Sequence, residues 1–218
     1  MPTKTYDAGP TRPCMDGWPF HEVMAMPGGY WVLDLTRQPV EGWQAPFPFT
    51  VGRYDEARPW MYNTPLFEGR RHVHIGLDLG GPEGTPVHAF ADGHIHAIGF
   101  EDADGGYGST VVTVHDVALP AHLPHPWAGS KHRVWALHGH LSRADLTRWN
   151  VGDAVEGGQV IGHLGGPHEN GGWAPHVHLQ LALTAPEGFD MEGVVAPEDR
   201  EAAMERHPDP RLVVGPLY

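Results

Sequence analysis

Three short segments carry histidines two positions apart: His72 and His74, with Asp78 following; His138 and His140; and His176 and His178. Imidazole is the commonest metal ligand in proteins and the side chain that most readily trades a proton near neutral pH. A catalytic zinc site needs three nitrogen or oxygen ligands and one open position for water, with further groups nearby to move protons. Six imidazoles and one carboxylate gathered on one patch could supply all of that. A single His-x-His pair is weaker, because two such residues usually make ordinary hydrogen bonds. The remaining histidines, from His88 to His168, are read in that ordinary way.

For these residues to converge, they must lie on strands. Residues i, i+2 and i+4 of a strand share a face. His74 and Asp78 are then expected to point the same way, as are the two members of each pair. The sequence around them fits a sheet. There are 29 glycines and 22 prolines among 218 residues, about twice ordinary usage, which excludes a helical bundle. Short alternating segments are expected as strands at 30–35, 72–78, 87–91, 94–100, 110–115, 134–141, 155–164 and 177–183. Asp92-Gly93 reads as a hairpin turn between the third and fourth of these, and Val151-Gly152-Asp153 with 155–164 reads as another hairpin. One short helix is expected at 142–149, capped by Ser142, with a second over 197–206.

Composition removes several function classes. Acidic residues number 27 against 14 Lys and Arg, a net charge of −13, and the only lysines are Lys4 and Lys131. That is a poor match to nucleic acid or to an anionic membrane surface. The one cysteine, Cys14, excludes an intrachain disulfide. No apolar run marks a signal peptide, and no stretch approaches the roughly 18 apolar residues of a membrane span, so the chain reads as soluble and cytoplasmic, secreted only if an export signal has been removed.

A longer ordered series surrounds the histidines. His74-Ile-Gly-Leu-Asp78 is followed by Gly84-Thr-Pro-Val87 and Ala91-Asp-Gly93. Then come His140-Leu-Ser142, Val151-Gly-Asp153, Gly158-Gln-Val-Ile-Gly162 and Pro175-His-Val-His178. This series resembles the lysostaphin-type (LytM-like) zinc metallopeptidases, the peptidoglycan endopeptidase family, over about residues 72–183. The segment 170–176 and Pro208-Asp-Pro210 also resemble a cytoplasmic metallopeptidase-like module fused to class III aminotransferases.

The resemblance implies a mainly β fold, an antiparallel sheet of the duplicated hybrid motif type. With the proline and aromatic content of the flanks, the chain is expected to divide into an aromatic, proline-rich N-terminal arm at 1–65, a metallopeptidase domain at 66–185 and a wrapped tail at 186–218. The resemblance implies one zinc per chain held by His74, Asp78 and His178. His140 and His176 would be the catalytic pair, assisting attack of metal-bound water on the amide carbonyl of a peptide or peptidoglycan fragment. His138 stands where the family usually has tyrosine and is placed near the substrate, with Trp173 as a groove wall. Gln180 stands where glutamate is commoner. Asn63, upstream of the first ligand, is read as a turn residue.

Other readings give the same residues different work. A non-catalytic or regulatory module on this scaffold would lack some of the five positions, yet all are filled. A cytoplasmic hydrolase of a small non-wall amide would use the same site. A cupin-like metal site would make His72 a ligand. A histidine-rich metal store would be clustered rather than spread over a hundred positions. The oligomeric state is not encoded in any pattern found.

Overall fold

The computed structural model describes residues 17–218. Cys14 and the first sixteen residues of the expected arm lie outside the described residues.

The chain is mainly β. An eight-stranded sheet forms its centre, in the order β1 (Tyr30–Val32), β2 (Phe49–Gly52), β5 (Leu77–Gly80), β12 (His176–Ala182), β9 (Lys131–Leu141), β8 (Gly108–Ala118), β7 (Gly93–Glu101) and β10 (Ala154–Val155). All pairings are antiparallel except β1 with β2. β6 (Pro86–His88) and β11 (Val160–His163) form a separate pair. β3 (Glu56–Ala57), β4 (Val73–His74) and β13 (Val194–Val195) form a small third sheet. Two helices, α1 (Arg200–Arg206) and α2 (Arg211–Val214), close the chain. No helix among the described residues is long and apolar enough to cross a membrane.

Period-two alternation sorts the central sheet into two faces. Leu77, Leu79, Val111, Val134, Ala136, Val177, Leu179 and Leu181 join one buried cluster, closed by Val87 and Ile161 of the small pair and by Val213, Val214 and Leu217 of the tail. Burying each such Leu side chain favours the fold by about 1.5–3 kcal/mol. The opposite face carries Asp78, His178 and Gln180, and it is the face that opens to solvent as a cleft.

Several expected connections differ. The Asp92-Gly93 turn does not join a hairpin: β6 pairs with β11 while β7 pairs with β8. Residues 151–164 likewise split, β10 adding to the central sheet and β11 to the small pair. Alternating hydrophobicity reveals a strand but not its partner, and both turns here cross between sheets. The segment at 143–148 is a 3₁₀ helix, and Ser142 makes no side-chain cap to it. Its buried carboxylate Asp145 instead accepts from the backbone N–H of His163, 2.7 Å away, pinning this turn to β11.

Candidate metal centre

His74 and Asp78 do not share one strand. The chain breaks at Ile75-Gly76, so that His74 ends β4 in the small sheet and Asp78 sits in β5 of the large one. The break bends the chain around the ring of His178, which arrives on the neighbouring strand paired with Asp78. Gly76 makes this possible: a Cβ there would lie 2.2 Å from His178 Cε1. The glycine between His74 and Asp78 leaves the space that the His178 ring occupies.

Three candidate ligand atoms meet at this point. His74 Nε2 is 3.0 Å from His178 Nδ1. Asp78 Oδ1 is 3.1 Å from the first and 3.2 Å from the second. The outer partners decide where the protons are. His74 Nδ1–H donates to the Arg53 carbonyl at 2.8 Å, and His178 Nε2–H donates to Gln180 Oε1 at 3.1 Å. Each ring then turns a bare lone pair inwards, towards the carboxylate oxygen and the other ring. Three converging acceptors repel one another unless a cation lies among them. A tetrahedral ion with bonds of about 2.0–2.1 Å spaces its ligand atoms about 3.3 Å apart, so the donor set fits zinc. Among the described residues this is the one His/Asp/Glu/Cys group so arranged, and His72 is not part of it.

Electrostatics favour the ligand forms. Burial pushes the carboxyl of Asp78 up, but the positive surroundings, permanent at the Arg58 guanidinium on Oδ2, outweigh it and hold the carboxyl well below the usual carboxylate range. Burial, with Arg58 nearby, lowers His74 to about 4. At neutral pH the pair is therefore a carboxylate and a neutral imidazole, the states a metal requires.

His140 and His176 stand beside this triangle with ring centroids 4.3 Å apart. His176 Nδ1–H donates to the Ala174 carbonyl at 2.7 Å, and its Nε2 lies 3.7 Å from Asp78 Oδ1. His140 Nδ1–H donates to the carbonyl of the buried Asn170 at 2.9 Å. Both keep Nε2 for the cleft. Burial is the main reason both stay neutral: it lowers His176, and it lowers His140 well below the ordinary range, with the neighbouring imidazole of His176 further disfavouring a proton there.

His138 does not accompany His140. Ser109 faces Leu141 while Val111 faces His138, two steps along β8 against three along β9. The extra residue is a β-bulge, and His140 within it has φ 63°. The bulge turns His140 towards the cleft and leaves His138 on the core face. There His138 is fully buried, donates to the Val111 carbonyl at 3.2 Å, and has no partner for Nε2. The expectation of His138 beside the substrate came from its place where the family usually has tyrosine; it needs His138 and His140 on one face, and the bulge separates them. Trp173 lines the cleft, its ring 6.5 Å from His140 and 6.1 Å from Tyr62. Asn63 is exposed and outside it.

The cleft has a volume of about 330 Å³. Three of its residues, and the buried Asn170 behind it, escape sequence reasoning. Arg58 and Tyr62 come from the arm, where nothing in their spacing sets them apart. The Tyr62 hydroxyl accepts from Arg58 Nη1 at 3.1 Å, and burial raises the phenol to about 12 despite that guanidinium, so it stays protonated. Tyr107 packs its ring against His140 and His178 and over Gly139. Asn170 holds the Trp173 loop through three hydrogen bonds while its carbonyl orients His140. The Asn-Gly-Gly run at 170–172 was the one available signal for it.

Residues 72–188 match the sequence family described as Peptidase family M23. A DD-carboxypeptidase/endopeptidase, Mpg, of Neisseria meningitidis serogroup B is 34% identical over 111 residues, covering 51% of this chain and 20% of that protein. The glycyl-glycine endopeptidase ALE-1 of Staphylococcus capitis is 34% identical over 107 residues, 49% of this chain and 24% of its own length. The chain thus spans a quarter or less of these curated relatives. Among solved structures, a mutant catalytic domain of the prophage-encoded M23 protein EnpA from Enterococcus faecalis is similar at 27% identity, with 69% of this chain and 90% of that one covered and a TM-score of 0.42.

Proposed function

This chain belongs to peptidase family M23, and we propose that it is a zinc-dependent metallopeptidase that hydrolyses amide bonds in a peptide substrate. The observation that carries the reading is the triangle of bare ligand atoms, 3.0–3.2 Å on each side, from His74, Asp78 and His178. One zinc per chain would be held there. When bound, it supplies a Lewis acid that lowers the pKa of water towards 7 and polarises a carbonyl.

The rest of the work falls to the chain. His140 and His176, neutral and open at Nε2, are suited to take a proton from the attacking water and to return it to the leaving amine nitrogen. The Tyr62 hydroxyl accepts from Arg58 and so has its own proton free to donate to an oxyanion. Trp173, Tyr62 and Phe67 offer an apolar wall for the substrate backbone. A non-catalytic module would have no use for two oriented, neutral histidines beside a complete ligand set.

Two relatives are named for a DD-carboxypeptidase/endopeptidase and a glycyl-glycine endopeptidase activity. They support a peptidoglycan-type peptide, cut next to a small residue such as glycine or D-alanine. The test is zinc content by elemental analysis, paired with chelator-sensitive hydrolysis of a glycine-rich peptide and of purified cell-wall fragments. One zinc with cleavage is expected. A chain without zinc, or one whose cleavage survives chelation, would overturn the reading.

A further inference from the structure

Arg58 is 1% exposed, yet every nitrogen of its guanidinium has a partner. Nε donates to Glu56 Oε2 at 3.0 Å. Nη1 donates to Asp78 Oδ2 at 2.7 Å and to the Tyr62 hydroxyl. Nη2 donates to the Arg53 carbonyl at 3.1 Å. That same carbonyl receives the Nδ1–H of His74.

We propose that Arg58 is a positioning residue of the metal centre: it engages Oδ2 of Asp78 so that only Oδ1 is offered to the metal, and it steadies His74 through the shared Arg53 carbonyl. The inference rests on the metallopeptidase reading above and goes beyond its ligand set.

Three observations carry it. A carboxylate can bind a metal through one oxygen or two, and a free one rotates between the two modes. Here a short charge-assisted hydrogen bond holds one oxygen while the other faces both histidines. A buried cation beside a metal site would ordinarily weaken metal binding, but Glu56 cancels it. Glu56 is itself buried and accepts from the Leu35 N–H at 3.2 Å. Glu56 lies 3.0 Å from the Arg58 guanidinium, with the partly exposed Arg53 at 3.7 Å on its other oxygen, so the arginine's charge is countered on the side away from the metal ligands. The backbone also makes room for the contact, since a Cβ at Gly52 would lie 2.7 Å from Asp78 Oδ2 and 2.9 Å from Arg58 Nη2. A purely structural ion pair needs only Glu56, whereas this guanidinium aims Nη1 at Asp78 itself and Nη2 at the carbonyl that holds His74.

The test uses the full chain with Arg58→Lys, Arg58→Gln, the double variant Arg58→Gln/Glu56→Gln, and Asp78→Ala. The double variant removes both buried charges, so it folds even where Arg58→Gln strands Glu56. Circular dichroism checks the fold. Competition with a chromophoric chelator gives the zinc affinity, and the visible spectrum of the Co²⁺-loaded protein gives the coordination number. The expected result is a folded double variant whose zinc affinity falls about 10–100-fold. Its Co²⁺ bands should weaken as the released oxygen adds a fifth ligand, and Arg58→Lys should recover only part of the affinity. Folded Arg58 variants that keep zinc affinity within about threefold and an unchanged Co²⁺ spectrum would overturn the proposal. A wild-type chain that binds no zinc, with Asp78→Ala indistinguishable from it, would instead remove the metal reading and this inference with it.

Discussion

His74 and His178 are separated by 104 positions, and their ring nitrogens face each other at 3.0 Å with both protons turned outwards. Two lone pairs at that distance oppose folding until a cation joins them. Substituting His178→Ala or Asp78→Ala is expected to lower zinc from one per chain to near none. The wild-type protein should also melt at a lower temperature when chelated, because a metal at 100 times its Kd adds about 2.7 kcal/mol of stability. Elemental analysis and thermal unfolding with and without chelator check both.

His140→Ala and His176→Ala should keep zinc and lose turnover, each by about 10²–10⁴-fold, the usual range for a general acid or base. Neither ring supplies an atom to the 3.0–3.2 Å triangle. Loss of zinc from either single variant would show that ligands and proton carriers have been divided wrongly.

Gly76→Ala probes the break between β4 and β5. The added methyl would lie 2.2 Å from the His178 ring, and either the ring or the strand must move. Zinc affinity should drop by about tenfold or more, the scale seen when a ligand's setting is disturbed. Chelator competition reads this directly, and wild-type affinity in the variant would show the close approach to be unimportant.

Acid should destabilise the chain through histidines far from the substrate. Burial lowers His115 to about 4 and His138 to about 3. An unfolded histidine titrates near 6.5, so below that pH the unfolded state binds protons that the folded state refuses. The stability is fully present above about 6.5 and is lost as pH falls towards those folded values, at about 1.4 kcal/mol per pH unit for each histidine. Urea unfolding at several pH values between 7 and 4.5, on metal-free protein, measures the slope. His138→Leu should reduce it by one proton, and an unchanged slope would remove His138 from the account.

The three residues that form the candidate metal group, His74, Asp78 and His178, are those the family resemblance singles out, because the motifs His-x-Gly-x-Asp and Pro-His-x-His stand intact in the sequence. The strands that carry them were legible from alternation. What escaped detection depends on contacts between distant segments. Nothing local distinguishes Arg58 from other arginines, and its contact with Asp78 exists only because β2 pairs with β5 while β3 pairs with β4. The placing of His138 went astray for a related reason. Alternation assumes a constant step, and the bulge that resets it is fixed by the pairing of β9 with β8.

The stretch recognisable as M23 begins at residue 72. Cutting there would strip β2 from the edge of β5, leaving Asp78 on an unpaired rim. The same cut would discard the guanidinium beside Asp78 and the Tyr62 and Phe67 side of the groove. The portion inherited as a family and the portion that must be transplanted intact are therefore different lengths of chain. A minimal transferable version has to start upstream of Phe49, well before the first residue that sequence comparison would retain.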